Sequence, residues 1–263
     1  EKREGRTVLK KILVCATFFL LLLSSTLVAA AGAGDSAGGD RVTLTYYGQS
    51  AFMLSHGGTQ LIFDPYLSKS LWKAADADEI ECQYILVSHG HQDHLGDTVS
   101  IAKRTGAKAV TFNALAGMLK EQGCDVAPMD IGGQRAFDFG YVKLTPAIHG
   151  SGVPGGMAVG FIVNFFGKTI YFAGDTALFG DMAFIARNKV DYALLPIGGN
   201  YTMGIADAAD AVGLIKPQAV IPVHYNTNPL IKASPEEFKG IVEKRYGIPV
   251  RVMQPGGPLF YRE

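Results

Sequence analysis

Ser88-His89-Gly90-His91-Gln92-Asp93-His94-Leu95-Gly96-Asp97 constrains this chain more than any other stretch. It has the form His-x-His-x-Asp-His, so four metal-capable side chains fall within six residues. Tyr84 to Val87, just before it, is a short apolar run of β-forming residues. It predicts a buried strand that delivers the histidines at its C-terminal end. Imidazole together with carboxylate suits zinc, iron or manganese at neutral pH. Neighbouring ligands cannot all aim at one ion, so a turn carrying four of them points to two metals side by side.

The rest of the 263 residues divides unevenly. Lys2, Arg3, Arg6, Lys10 and Lys11 precede an apolar run from Ile12 to Ala29, and small residues from Ala29 to Ala33 follow. That order predicts an export signal over residues 1–34. The apolar run is long for a cleaved signal, so an uncleaved membrane anchor is the alternative. In both cases the domain is placed outside the membrane, periplasmic or extracellular. Residues 35–40 form a small polar linker, and 41–263 make one domain with length enough for a sizeable core.

Of 24 basic and 24 acidic residues, five and two fall within residues 1–34, which leaves 19 and 22 beyond. A slightly acidic domain without a basic run argues against a nucleic-acid partner and leaves a small-molecule substrate. Cys82 and Cys124 could pair in an exported protein. Both stand near predicted strand starts in different parts of a sheet, and two separate thiols is the preferred reading.

Ala51–Ser55 and Gln60–Phe63 flank a turn at His56-Gly57-Gly58-Thr59, a hairpin signal, with His56 read as solvent-exposed. A related pattern recurs at Gly160–Asn164 and Thr169–Phe172, around Gly167. Without gaps, Phe52 matches Phe161, Leu54 matches Val163, Leu61 matches Ile170 and Phe63 matches Phe172. The first copy ends at Asp64 and the second at Asp175. Two similar β-rich halves, each ending near a shared site, are the bolder reading. Between and after the hairpins, predicted strands at Ala109–Phe112, Asp125–Met129, Phe137–Phe139, Tyr141–Ile148, Tyr192–Leu195, Ala219–Val223, Val250–Met253 and Leu259–Tyr261 alternate with helices. The helices are expected near residues 97–105, 115–122, 181–187, 205–215 and 234–246. Such a mixture suggests helices packed outside two central sheets.

Three further donors stand at predicted strand ends: His149 after Leu144–Ile148, Asp175 after Tyr171–Gly174, and His224 after Val220–Val223. Strand ends hold ligands rigidly while loops shape the pocket above them.

The order His-x-His-x-Asp-His, His, Asp, His resembles the metallo-β-lactamase superfamily over nearly all of residues 41–263. Gly-Asp-Thr at 174–176, Leu-Pro-Ile-Gly-Gly-Asn-Tyr-Thr-Met-Gly at 195–204 and Ile-Pro-Val-His-Tyr-Asn-Thr at 221–227 look like the metal-dependent hydrolases related to L-ascorbate-6-phosphate lactonase. The resemblance implies an α/β fold, a four-layer αββα sandwich with a dinuclear site at one edge. It implies that His89, His91 and His149 hold one metal, that Asp93, His94 and His224 hold the other, and that Asp175 bridges both. Two divalent ions follow, with zinc preferred and manganese or iron as alternatives. Asp64 either orients a ligand histidine or caps the turn at Pro65. The true β-lactamases of the superfamily lack the bridging carboxylate, and its diiron oxygen reductases have Glu where His91 stands, so both chemistries are disfavoured. Many close relatives have Asp where this chain has Gly199.

On this reading two metals lower the pKa of a shared water from about 15.7 towards 7. The resulting hydroxide attacks the carbonyl carbon or phosphorus of an ester, lactone or phosphodiester. Asp93 ligates and orients the nucleophile or its proton. Asn200, Tyr201 and the loop Gly150–Gly156 form the substrate rim; the alternative is that the glycines merely let the chain turn. The alternatives are a mononuclear iron oxygenase acting on a thiol compound, and a non-catalytic metal-binding protein on the same fold.

Overall fold

The computed structural model describes residues 41–260. The expected export segment at 1–34 and the linker at 35–40 lie outside the described residues. Among the described residues no helix is long and apolar enough to cross a membrane.

One sheet is built from β1 (Thr43–Gly48), β2 (Ala51–His56), β3 (Thr59–Phe63), β4 (Tyr84–Leu86), β5 (Lys108–Phe112) and β6 (Asp125–Met129), adjacent in that order. The other is built from β7 (Gln134–Phe137), β8 (Gly140–Pro146), β9 (Val159–Phe165), β10 (Lys168–Phe172), β11 (Tyr192–Pro196) and β12 (Ala219–Val223). The last strand, β13 (Pro258–Phe260), returns to pair antiparallel with β1. In both sheets an antiparallel hairpin, β2–β3 or β9–β10, is extended by parallel strands. The gapless match between the hairpins is therefore a match of position as well. Phe63 and its counterpart Phe172 pack on each other across the two sheets, with centroids 5.0 Å apart. At the turns, His56 stacks on Phe166 at 4.4 Å. This corrects the solvent-exposed expectation for His56, which is half-buried because the other hairpin's turn covers it.

Side chains alternate between two cores, as strand geometry requires. Phe52, Leu54, Leu61 and Phe63 face Phe161, Val163, Ile170 and Phe172 between the sheets. Met53, Ile62 and Ile85 turn outward to the helices α2 (Thr98–Thr105) and α3 (Asn113–Glu121). On the far side Tyr171, Ala193 and Leu195 meet α4 (Ile205–Ile215) and α5 (Pro235–Tyr246). Both faces of each sheet are buried, so the central strands read as continuous apolar runs rather than alternating ones. The result is the four-layer αββα arrangement. Local chemistry marks the helix ends: Ser234 caps α5 by accepting from the Glu237 amide, with Pro235 at the first helical position and Gly247 in the left-handed C-terminal position.

Three expectations shift. The strand predicted at Phe137–Phe139 runs over Gln134–Phe137, because Gly140, at φ 138°, turns the chain into β8 just after Asp138 and Phe139. Val250–Met253 contributes one bridge, Val250 to Val220, rather than a strand. Tyr141–Ile148 ends at Pro146, whose missing N–H suits the end of a strand. Cys82 and Cys124 are buried free thiols, and burial pushes the Cys82 thiol up to about 11.

Candidate metal centre

The His-x-His-x-Asp-His motif sits at the C-terminal end of β4. The strand is held on both sides, and its register passes on to Val87, whose amide donates to Val110 O at 3.2 Å. The next residue joins the two sheets: Ser88 O accepts the Val159 amide at 3.0 Å. His91 stands at the N-cap of the one-turn helix α1 (Gln92–Leu95), which carries Asp93 and His94. Gly96 ends it at φ 43°, where an added Cβ would stand 2.3 Å from Pro65 O. Only glycine lets the motif dock this closely on the segment after β3.

Asp64 follows β3 and is fully buried. Its Oδ1 accepts the Ser88 amide at 2.7 Å, and its Oδ2 accepts the Ser88 hydroxyl at 2.6 Å and His94 Nδ1 at 2.6 Å. A carboxylate offers only acceptors, so His94 must carry a proton on Nδ1, and Nε2 is the nitrogen turned to the other donors. Having donated to Asp64, the Ser88 hydroxyl accepts from His89 Nδ1 at 2.9 Å. That leaves His89 Nε2 as the free lone pair. One carboxylate thus sets the tautomer of two histidines, and of the two readings of Asp64 the contacts carry the orienting one.

The remaining donors arrive from the second sheet. Ile148 donates its amide to Thr176 Oγ1 at 2.9 Å and accepts from the Ala177 amide at 3.1 Å, which ties the end of β8 to the segment after β10. His149 and Asp175 are thereby neighbours, Nε2 to Oδ2 3.5 Å. His224 follows β12 at φ 54°, and its amide donates to Gln49 O at 2.9 Å.

The seven residues converge. His89, His91 and His149 form one group of mutually close donor atoms. Asp93, His94 and His224 form another, and His89, His94 and Asp175 a third that overlaps both, all with donors within 4.8 Å of one another. Asp175 stands 3.2 Å from His94 Nε2 and 3.1 Å from His224 Nε2. His91 faces His89 and His149 through Nδ1, at 3.0 and 3.3 Å. The donor set fits divalent ions. His94 Nε2, Asp175 Oδ1 and both ring nitrogens of His224 are buried without a hydrogen-bond partner. Buried polar atoms left unpaired are rare and call for an explanation; a cation between them supplies one.

Electrostatics agree. Burial alone would raise Asp175, but charged His94 and His224 hold it well below the usual carboxylate range. Asp93 is likewise depressed, burial being overridden by the closeness of His224 and His94, whose Nε2 atoms stand 3.4 and 3.5 Å from its Oδ2. Burial would lower His94 and His224; instead Asp175 raises both, His94 strongly with help from Asp64, and His224 to about 9. Burial, reinforced by His94, drives His89 down to about 2, and burial also lowers His149.

Above the donors lies a cavity of about 480 Å³, walled beyond the donors by Gln49, Tyr66, Ser70, Leu71, Tyr201 and Thr227 together with Asn228. Among the described residues no Lys or Arg lines it. Of the expected rim, Tyr201 is on the wall. Asn200 is not; it is exposed, in the left-handed turn at φ 52° that swings Tyr201 inward. The Gly150–Gly156 loop braces the motif from behind, with the Gly90 amide donating to Ser151 O at 2.8 Å. Gln49, Ser88 and Thr227 are the residues the sequence did not single out.

Residues 43–224 match the model of the Beta-lactamase superfamily domain. A UPF0173 metal-dependent hydrolase of Natranaerobius thermophilus is 44% identical over 217 residues, 82% of this chain and 98% of that protein. The chain belongs to the metal-dependent hydrolases of the beta-lactamase superfamily. A second such hydrolase, from Symbiobacterium thermophilum, is 46% identical over 81% of this chain and 97% of its own. Among solved structures, Igni18, a metallo hydrolase from Ignicoccus hospitalis, is 39% identical and superposes with a TM-score of 0.77, covering 84% of this chain and 99% of that one. The family accounts for the αββα layers and for a His/Asp metal centre at their edge.

Proposed function

We propose that this hydrolase cleaves a neutral carboxylic ester or lactone at a two-ion centre. The observation that carries the reading is a cavity walled by metal donors, hydroxyls, amides and apolar groups, with no Lys or Arg among the described residues that line it. A phosphodiester or phosphorylated lactone would bring charge that fixed Arg or Lys normally meets. His89, His91 and His149 would hold one ion, Asp93, His94 and His224 the other, and Asp175 both. Seven donors with both groups complete support two ions over one. When bound, the ions polarise the substrate carbonyl and acidify a water.

The chain supplies the remainder. Asp64 holds the Nδ1 protons of His94 directly and of His89 through Ser88, so Nε2 of each is the atom left to face an ion. Asp93 is the most accessible carboxylate of the set, its side chain 39% exposed. Its Oδ2 is engaged by Gln49, and Oδ1 is the atom placed to take the attacking water's proton and return it to the leaving oxygen. Tyr201 and Leu71 hold the substrate body, and Ser70 and Asn228 offer it hydrogen bonds. We further propose that residues 1–34 export the domain, so its substrates lie outside the membrane; appearance of the full chain in the cytosolic fraction alone would overturn that.

The test pairs metal content with specificity. Close to two zinc, manganese or iron atoms per chain are expected. So is a kcat/KM for neutral esters or lactones at least about a hundredfold above that for phosphodiesters, the size of effect that unpaired buried charge produces. Preference for phosphodiesters would overturn the substrate class, and a single firmly held iron would move the reading to the oxygenase.

A further inference from the structure

Gln49 lies in the turn between β1 and β2, far in sequence from every donor, yet it is 3% exposed and faces the cavity. Its Nε2 donates to Asp93 Oδ2 at 2.8 Å. Its Oε1 accepts from Thr227 Oγ1 at 2.5 Å. The orientation of the amide is fixed by chemistry. A carboxylate can only accept, so the amide nitrogen must face Asp93, the oxygen must face Thr227, and the Thr227 hydroxyl is left as donor. The Gln49 carbonyl separately accepts the His224 amide at 2.9 Å. One residue therefore touches two of the three members of the Asp93–His94–His224 group, one by side chain and one by main chain. It touches none of His89, His91 and His149. The turn that carries it is pinned: an added Cβ on Gly48 would stand 2.3 Å from the Trp72 ring.

We propose that Gln49 is a positioning residue that sets the affinity of the Asp93–His94–His224 group for its ion, by clamping the Asp93 carboxylate in a Thr227–Gln49–Asp93 relay. The proposal rests on the two-ion reading above. Asp93 is the one member of that group whose side chain is partly exposed; His94 is fully buried and His224 nearly so. Holding its Oδ2 in place removes rotamers that would otherwise be lost on ion binding. Partners of this kind are typically worth about 10–100-fold in metal affinity.

The experiment is calorimetric titration of the full, metal-stripped chain with zinc alone, in two backgrounds. In His149→Ala, which keeps the group Gln49 touches, Gln49→Ala is expected to weaken zinc about 10–100-fold. In His224→Ala, which keeps the other group, Gln49→Ala is expected to change nothing. Gln49→Glu keeps the shape but faces an acceptor to Asp93, so it must weaken zinc at least as much as Gln49→Ala. Thr227→Val, which frees the amide to turn over, should follow, and Thr227→Ser should restore the wild-type value. The main-chain bond to His224 survives in every variant, so it does not contribute to these differences. Equal losses in both backgrounds would reduce Gln49 to general scaffolding and overturn the proposal, as would an unchanged Gln49→Glu. Wild-type protein that takes up a single zinc would overturn the two-ion reading itself. That result is distinct from two zinc ions bound regardless of Gln49, which would overturn the proposal alone.

Discussion

The two donor groups are built differently. Asp93, His94 and His224 are backed by buried structure: Asp64 fixes His94, Gln49 fixes Asp93, and Gln49 O fixes the His224 backbone. In the other group His89 is braced through Ser88, whereas the polar side-chain contacts of His91 and His149 among the described residues are with other donors alone. One group is braced from outside at every member, the other at one member of three. Ligands oriented by such partners hold a metal more tightly than unbraced ones.

Removing Asp64 should break this contrast most. Asp64→Ala strips the buried acceptor from the Ser88 amide, the Ser88 hydroxyl and His94 Nδ1. At about 1–3 kcal/mol per unpaired buried group, the domain should lose at least about 3 kcal/mol. Thermal unfolding should show a drop of several degrees or more together with loss of the braced ion; an unmoved midpoint with full metal would end the argument. Asp93→Asn keeps shape and should leave the fold alone while cutting turnover by about a hundredfold or more. Unchanged turnover would remove Asp93 from the chemistry.

A smaller effect concerns pH in the metal-free protein. The folded pKa values of His94 and His224 are raised, so their stabilisation is fully present below about 6.5 and fades as pH rises through about 9, the value for His224. Asp175 is depressed, so its contribution is present above about 4 and fades on acidification. His89 and His149 are lowered by burial, so their contribution is present above about 6.5 and fades as pH falls below it. The chelated protein should therefore melt highest at about pH 6.5, where the opposing trends meet. Zinc loading at pH 7 should release protons from both histidines, visible with an indicator dye and diminishing above about pH 9. A flat melting profile from pH 6 to 9 would contradict the coupling. The mildest test is Tyr201→Ala, expected to raise KM a fewfold with kcat unchanged, since a rim contact binds ground and transition states alike.

The sequence exposes what is local or periodic. The motif, the three strand-end donors, and helices such as Ile205–Ile215 are legible because histidines cluster and apolar positions repeat. What it hides is pairing across distance. Ser88 reads as filler inside the motif, and Gln49 and Thr227 read as turn residues. Their partners lie 24, 44 and 178 residues away: Asp64 and Ser88 meet because β3 and β4 run side by side, and Thr227 reaches Gln49 from the other sheet. Asn200 and Tyr201 are both expected at the rim, and turn geometry gives the wall to Tyr201 alone. Asp64 was ambiguous because a turn cap and a ligand partner use the same residue type after the same kind of strand.

His94 occupies an unusual place in this layout. Its two ring nitrogens face the aspartates that end the two matched hairpins, Asp64 at 2.6 Å and Asp175 at 3.2 Å. The first sheet supplies His89, His91, Asp93 and His94, and the second supplies His149, Asp175 and His224. None of the three donor groups is complete on one side. Metal affinity and the affinity of the halves for each other are then linked quantities, each raising the other. A chain cut in the turn between β6 and β7 would yield two fragments whose reassociation is governed by the concentration of the metal.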